Sequence, residues 1–81
     1  MSATRKRPDQ PMPPDIRDRL ESEGLTGDYR ARPRYQRNDY LAWIARAKRP
    51  DTRQRRIDQM IEELSRGGVY MKMDHPPSAR T

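Results

Sequence analysis

The chain has no cysteine, no phenylalanine and only one histidine among its 81 residues. Without cysteine there is no disulfide, no thiolate nucleophile and no sulfur ligand for a metal. This is compatible with a reducing compartment. No apolar run approaches the roughly 20 residues that cross a bilayer. The N-terminus is basic and then proline-rich, with no apolar stretch behind it, so no secretory signal is read and the expected location is the cytoplasm. Apolar residues are scarce at 31%, against 37% charged. That balance predicts one small domain with a modest core and long solvated stretches.

The cations outnumber the anions, 18 to 12, for a net charge of +6. Basic balance permits nucleic acid, acidic protein or anionic lipid as a partner. The distribution is uneven. Positions 30–56 hold ten basic residues and two acidic ones, whereas positions 15–28 hold five acidic residues against two basic.

Residues 1–13 carry Pro8, Pro11 and Pro13 with little to bury and are predicted to be a disordered, basic and proline-rich tail. Residues 74–81, with Pro76, Pro77 and Ser78, are predicted to form a second tail without regular structure. Between them lies a small helical domain, 14–73. Its first helix is expected over 14–23: Pro14 suits the first helical position, Asp15 and Asp18 favour the positive end of the dipole, and Ile16 and Leu20 share a face. Gly24 supplies a left-handed stop, and Leu25 can fold back on the last turn.

Residues 26–36 read as a loop. Arg30, Arg32 and Arg34 alternate there and would share one side if the segment were extended. A second helix is expected over 36–48, where Tyr40, Trp43, Ile44 and Ala47 recur at helical spacing. Trp43 is expected to anchor the core, the rival reading being an exposed platform for bases. The residue before Pro50 is pushed out of helical geometry. A third helix then runs over 50–66, with Asp51 and Gln54 as a capping box and Ile57, Met60, Ile61 and Leu64 as its apolar stripe, stopped by Gly67 and Gly68. Asp51–Arg55 and Glu62–Arg66 are expected as solvated pairs on the outer face. Val69 or Tyr70 and one methionine are expected to lie across the helices.

Arg53 falls on the apolar face, and its charge cannot be shed by deprotonation. It therefore needs acceptors at the core rim. The candidates are Asp39, Asp28 or free helix-end carbonyls, with Asp39 favoured. The fold class is all-α: a short helix packed on a two-helix hairpin, with disordered ends.

Two phrases carry a family resemblance: Tyr40-Leu41-Ala42-Trp43-Ile44-Ala45-Arg46-Ala47-Lys48-Arg49-Pro50 and Thr52-Arg53-Gln54-Arg55-Arg56-Ile57. They resemble the C-terminal region of the YdeI/OmpD-associated family, also labelled bacteriocin-protection. The resemblance implies an all-helical module with no established enzymatic activity, and its label suggests a link to tolerance of antibacterial peptides. It also implies that Tyr29 occupies the place of a buried aromatic. The chain departs from the pattern at Tyr35, near where relatives often have a small capping serine.

Nothing in the sequence assembles a catalytic site. His75 stands in a proline-rich stretch with only Asp74 beside it, and no phosphate loop, dinucleotide fingerprint or zinc-protease motif is present. Ser2, Ser22, Ser65 and Ser78 have no base at a suggestive distance in the sequence. The expectation is no enzyme, no cofactor and no metal. Instead we expect a monomeric binding or regulatory module acting by protein–protein contact. Its surface is expected to be Arg46, Lys48, Arg49, Arg55 and Arg56, with Arg30, Arg32 and Arg34 adjoining. Trp43, Ile44, Arg53, Ile57, Met60, Ile61 and Leu64 are the structural residues. The alternative is nucleic-acid binding through the basic 30–56 region in the manner of a helix-turn-helix. Against it stand the inward direction of Arg53, the carboxylates Asp51, Asp58, Glu62 and Glu63 read as facing outward, and the lack of Asn and Gln for base reading beyond Gln54 and Gln59.

Overall fold

Two prolines open the first helix. Pro13 is its N-cap, and its carbonyl takes the N–H groups of Ile16 and Arg17 at 3.1 and 3.0 Å. Pro14 fills the first helical position, where a missing N–H costs nothing. The computed structural model describes residues 10–79 and orders them as α1 (Pro14–Ser22), α2 (Thr26–Ala31), α3 (Arg34–Ala45), α4 (Pro50–Arg66), β1 (Gly67–Tyr70) and β2 (Met73–Ala79). The all-α expectation holds for the body of the domain. A two-stranded antiparallel hairpin follows it.

α1 ends as its sequence requires. Gly24 takes a φ of 70°. Its N–H bonds the Glu21 carbonyl at 3.1 Å, and the Leu25 N–H bonds the Leu20 carbonyl at 2.8 Å. This is the double closure of a Schellman motif, and it lays Leu25 against Leu20 in the core.

α2 occupies part of the stretch read as a loop. Six residues including a glycine cannot hold a helix alone. Here the Leu25 carbonyl accepts the Tyr29 N–H at 2.9 Å, and the Tyr29 side chain is buried in the core. Arg30 points to solvent while Arg32, the C-cap of α2, is buried, so the two do not share a side as they would in an extended segment.

α3 starts and ends earlier than the expected 36–48. Pro33 acts as its N-cap, adding a first turn at Arg34 and Tyr35. At the other end Ala47 turns back onto the Ile44 carbonyl at 3.2 Å, so 46–49 is a connecting loop. Arg49, ahead of Pro50, is extended as expected (φ −110°, ψ 144°). α4 has its expected bounds, but the capping box does not form. Arg49 is the N-cap and Pro50 holds the first helical position, which leaves Asp51 two residues too far inside. Its carboxylate takes the adjacent Thr52 N–H at 2.9 Å, and Gln54 turns to Asp58 at 3.1 Å.

The core gathers Ile16 and Leu20 from α1, Leu25, Tyr29 from α2, Tyr40, Leu41 and Ile44 from α3, and Ile57, Met60, Ile61 and Leu64 from α4. Trp43 is not its anchor. It is half-buried at the rim, and Tyr40 takes the central place. The hairpin packs Tyr70 and Met71 against this core.

The chain ends differ from the reading of two tails. The part of the first tail at 1–9 lies outside the described residues. Beyond it, Gln10 donates its N–H to Asn38 Oδ1 at 3.1 Å, and Met12 packs on the core. At the other end β2 runs through Pro76 and Pro77, with Tyr70 paired to Met73 and Val69 to Asp74. A two-stranded sheet has only edge strands, where a missing N–H can face away from the partner. No described helix is long and apolar enough to cross a membrane.

Candidate functional site

α2 and α3 direct one arginine inward. Arg32, 4% exposed, belongs to the interior and not to the binding surface expected from the sequence. Its Nη1 donates to Gln36 Oε1 at 3.2 Å and to the Val69 carbonyl at 2.8 Å, and its Nη2 donates to the Glu63 carbonyl at 3.2 Å. A buried guanidinium is tolerated when its donors are met in this way.

Glu63, expected from the sequence to face outward, is 1% exposed. It lies three residues after Met60 and four after Gln59, which puts it at the edge of the apolar stripe. Its carboxylate accepts the Tyr40 hydroxyl, Gln59 Nε2 at 3.0 Å, and the backbone N–H groups of Met71 and Lys72 at 2.8 and 2.9 Å. Burial pushes the Tyr40 phenol above its ordinary pKa, and the bond to Glu63 adds to the shift. Burial, then a bond to Asp39, does the same for Tyr70. Glu63 and Gln36 were missed as structural residues; only the position of Glu63 on the wheel pointed inward.

Arg53 reaches the core rim as expected but pairs with Asp15, through Nη1 at 2.7 Å and Nη2 at 3.2 Å. The hydrogen bond from Arg53 holds the Asp15 carboxyl below its ordinary pKa. Asp39 could not serve. α3 and α4 run antiparallel, so Asp39 sits toward the far end of α4 and accepts the Tyr70 hydroxyl. Of the two expected surface pairs, Glu62–Arg66 forms at 3.3 Å. Asp51 pairs with Arg49 at 3.3 Å, and Arg55 reaches the Thr52 hydroxyl at 3.3 Å.

The remaining basic residues divide into two groups. Arg46, Lys48, Arg49 and Arg55 are exposed around the α3–α4 corner, and among the described residues Arg46 and Lys48 have no partner. Arg56 is half-buried beside them. Its Nη1 donates to the Trp43 carbonyl at 2.7 Å, and its guanidinium lies 5.2 Å from the centre of the Trp43 ring. Arg34 does not adjoin this corner: at 1.5 Å per residue it lies about 18 Å from Arg46 along α3. Arg30 is exposed on α2. Next to Arg34, an open groove is lined by Tyr35, Asn38 and Asp39.

A family model described as bacteriocin-protection, YdeI or OmpD-associated, matches residues 10–67. The matched stretch takes in α1 to α4 and stops where the hairpin begins. No curated protein and no solved structure matches the chain.

Proposed function

The chain belongs to the bacteriocin-protection, YdeI or OmpD-associated family, and on that premise we propose that it is a non-catalytic binding module acting in the cytoplasm by protein–protein contact. A link to stress or to tolerance of antibacterial peptides rests on the family's description alone. The observation that carries the reading is the α3–α4 corner. Arg46 and Lys48 project to solvent with no partner among the described residues, and Arg49 and Arg55 reach only Asp51 and Thr52. Cations so placed lose little on meeting an acidic surface and steer its approach. The sequence supports the non-catalytic part, having no cysteine and a single histidine with only Asp74 beside it in the chain.

Nucleic acid is the competing ligand for the same corner. Arg53 is engaged by Asp15, while Asp58 stands on the outer side of α4 between Arg19 and Gln54. A duplex laid along α4 would meet that carboxylate. The deciding experiment captures partners from lysate on immobilised protein, with and without nuclease, using wild type and an Arg46→Glu/Lys48→Glu variant. A captured protein that resists nuclease and is lost with the variant supports the reading. Capture that nuclease abolishes, together with a steep salt slope for every nucleic acid tested, replaces it with the nucleic-acid reading.

A further inference from the structure

The helical body grips the first half of the hairpin by its backbone. Arg32 donates to the Val69 carbonyl at 2.8 Å, and the two oxygens of Glu63 accept the successive N–H groups of Met71 and Lys72 at 2.8 and 2.9 Å. Between these bonds the Tyr70 ring stands edge-on to Tyr40 and Tyr35, with centroids 5.6 and 6.0 Å apart. One carbonyl, two amides and one ring are thus each met by a group from α2–α4 or the α2–α3 joint.

The gripped segment turns through Met71 and Lys72, whose φ values of 50° and 65° are those of a two-residue hairpin loop, a conformation more often filled by Asn and Gly. Successive N–H groups in such a turn form a concave anion nest, and here the anion is the Glu63 carboxylate. The segment is tethered through Gly67 and Gly68, both at positive φ (72° and 70°), which side chains would resist. The gripping residues lie inside the family-matched stretch, and the segment they hold lies beyond it.

We propose that Arg32, Tyr35, Tyr40 and Glu63 form a peptide-binding site for a protein partner, and that the hairpin occupies it in cis as an autoinhibitory ligand. The site selects an aromatic residue flanked by an extended residue that offers its carbonyl and by two turn residues with free N–H groups. Proline is excluded at both turn positions. The site lies at the opposite end of α3 from Arg46 and Lys48, so it stands or falls independently of the basic corner.

A tethered ligand has an effective concentration in the millimolar range, so a peptide in trans competes poorly with the intact hairpin. The test uses a fluorescent synthetic peptide of residues 67–79 and fluorescence polarisation against the full chain. A Tyr70→Ala chain keeps every gripping side chain but weakens the resident. It should bind the peptide at least tenfold more tightly than wild type. The gain should vanish when Glu63→Gln is added, or when the peptide carries Met71→Pro. A Met71→Pro chain, which loses one resident N–H bond, is the second opened variant and should behave like Tyr70→Ala. Either variant folded by circular dichroism, yet binding the peptide no better than wild type, overturns the proposal. Opened variants that dimerise by size exclusion and ignore the peptide also overturn it, assigning the site to a second copy's hairpin instead.

Discussion

Arg53 on α4 and Asp15 on α1 face each other across 38 positions of sequence, with both guanidinium Nη atoms on the carboxylate. Together with Arg19–Asp58, at 3.1 Å, this contact fastens the first helix to the last. Both residues remain partly solvated, with side chains 33% and 58% exposed, so solvent screens the pair. Arg53→Lys is expected to cost up to about 1 kcal/mol, because an ammonium cannot reproduce the fork. Arg55→Lys should cost nothing measurable. Urea titrations of the two variants check this, and equal midpoints would remove the structural role of Arg53. The Asp15 carboxyl is depressed, so its contribution is present above the unfolded value of 3.8 and fades as pH falls through the lower folded value. Asp15→Asn should flatten that acid limb.

Arg32 and Arg30 offer a sharper contrast. Removing the buried guanidinium strands the Val69 and Glu63 carbonyls and the Gln36 side chain. Arg32→Ala is therefore expected to cost about 3 kcal/mol or more, at 1–3 kcal/mol for each buried group left unmet. Arg30→Ala should stay within about 0.5 kcal/mol. Thermal melts of both variants decide the matter, and a tolerant Arg32 would return it to the surface.

Tyr40 and Tyr70 predict an alkaline limb. Each phenol is raised in the folded chain, so each contributes stability that is complete below the unfolded value, 10.0, and is lost as pH climbs above it. Stability measured from pH 8 to 11 should fall beyond about 10. The slope should be shallower in Tyr40→Phe. That variant should also lose about 1.5–3 kcal/mol at neutral pH, since Glu63 loses a buried donor.

Trp43→Ala and Tyr40→Ala should rank in an order opposite to their size. Tyr40 is wholly buried, and its truncation should cost about 3–5 kcal/mol. Trp43 is half-buried and holds Arg56 over its face. Its loss should cost about 1–3 kcal/mol, below the range for a core aromatic. A Trp43 variant less stable than the Tyr40 variant would restore the tryptophan as core anchor.

Much of this fold could be read from punctuation. Pro14 and Pro50 mark helix starts, and Gly24 and Gly67 mark stops, because each residue has few conformational alternatives there. α2 could not be read, since six residues around Gly27 offer no period and only the burial of Tyr29 makes them helical. The basic corner was legible because exposure is the ordinary state of Lys and Arg. The burial of Arg32 and Glu63 was not. A charged side chain goes inside only when acceptors and donors await it, and here they come from residues up to 37 positions away. The favoured Asp39 partner for Arg53 failed on helix direction, which local spacing does not encode.

The four bonds to the Glu63 carboxylate also impose an order on synthesis. Two of its donors, Met71 and Lys72, lie eight and nine residues downstream. A growing chain can therefore finish α4 while the carboxylate at its edge still lacks half its partners. The site around Glu63 should close only after Lys72 has cleared the ribosome. Stalled nascent chains that expose α4 but not the turn should be cut by protease faster than chains a few residues longer.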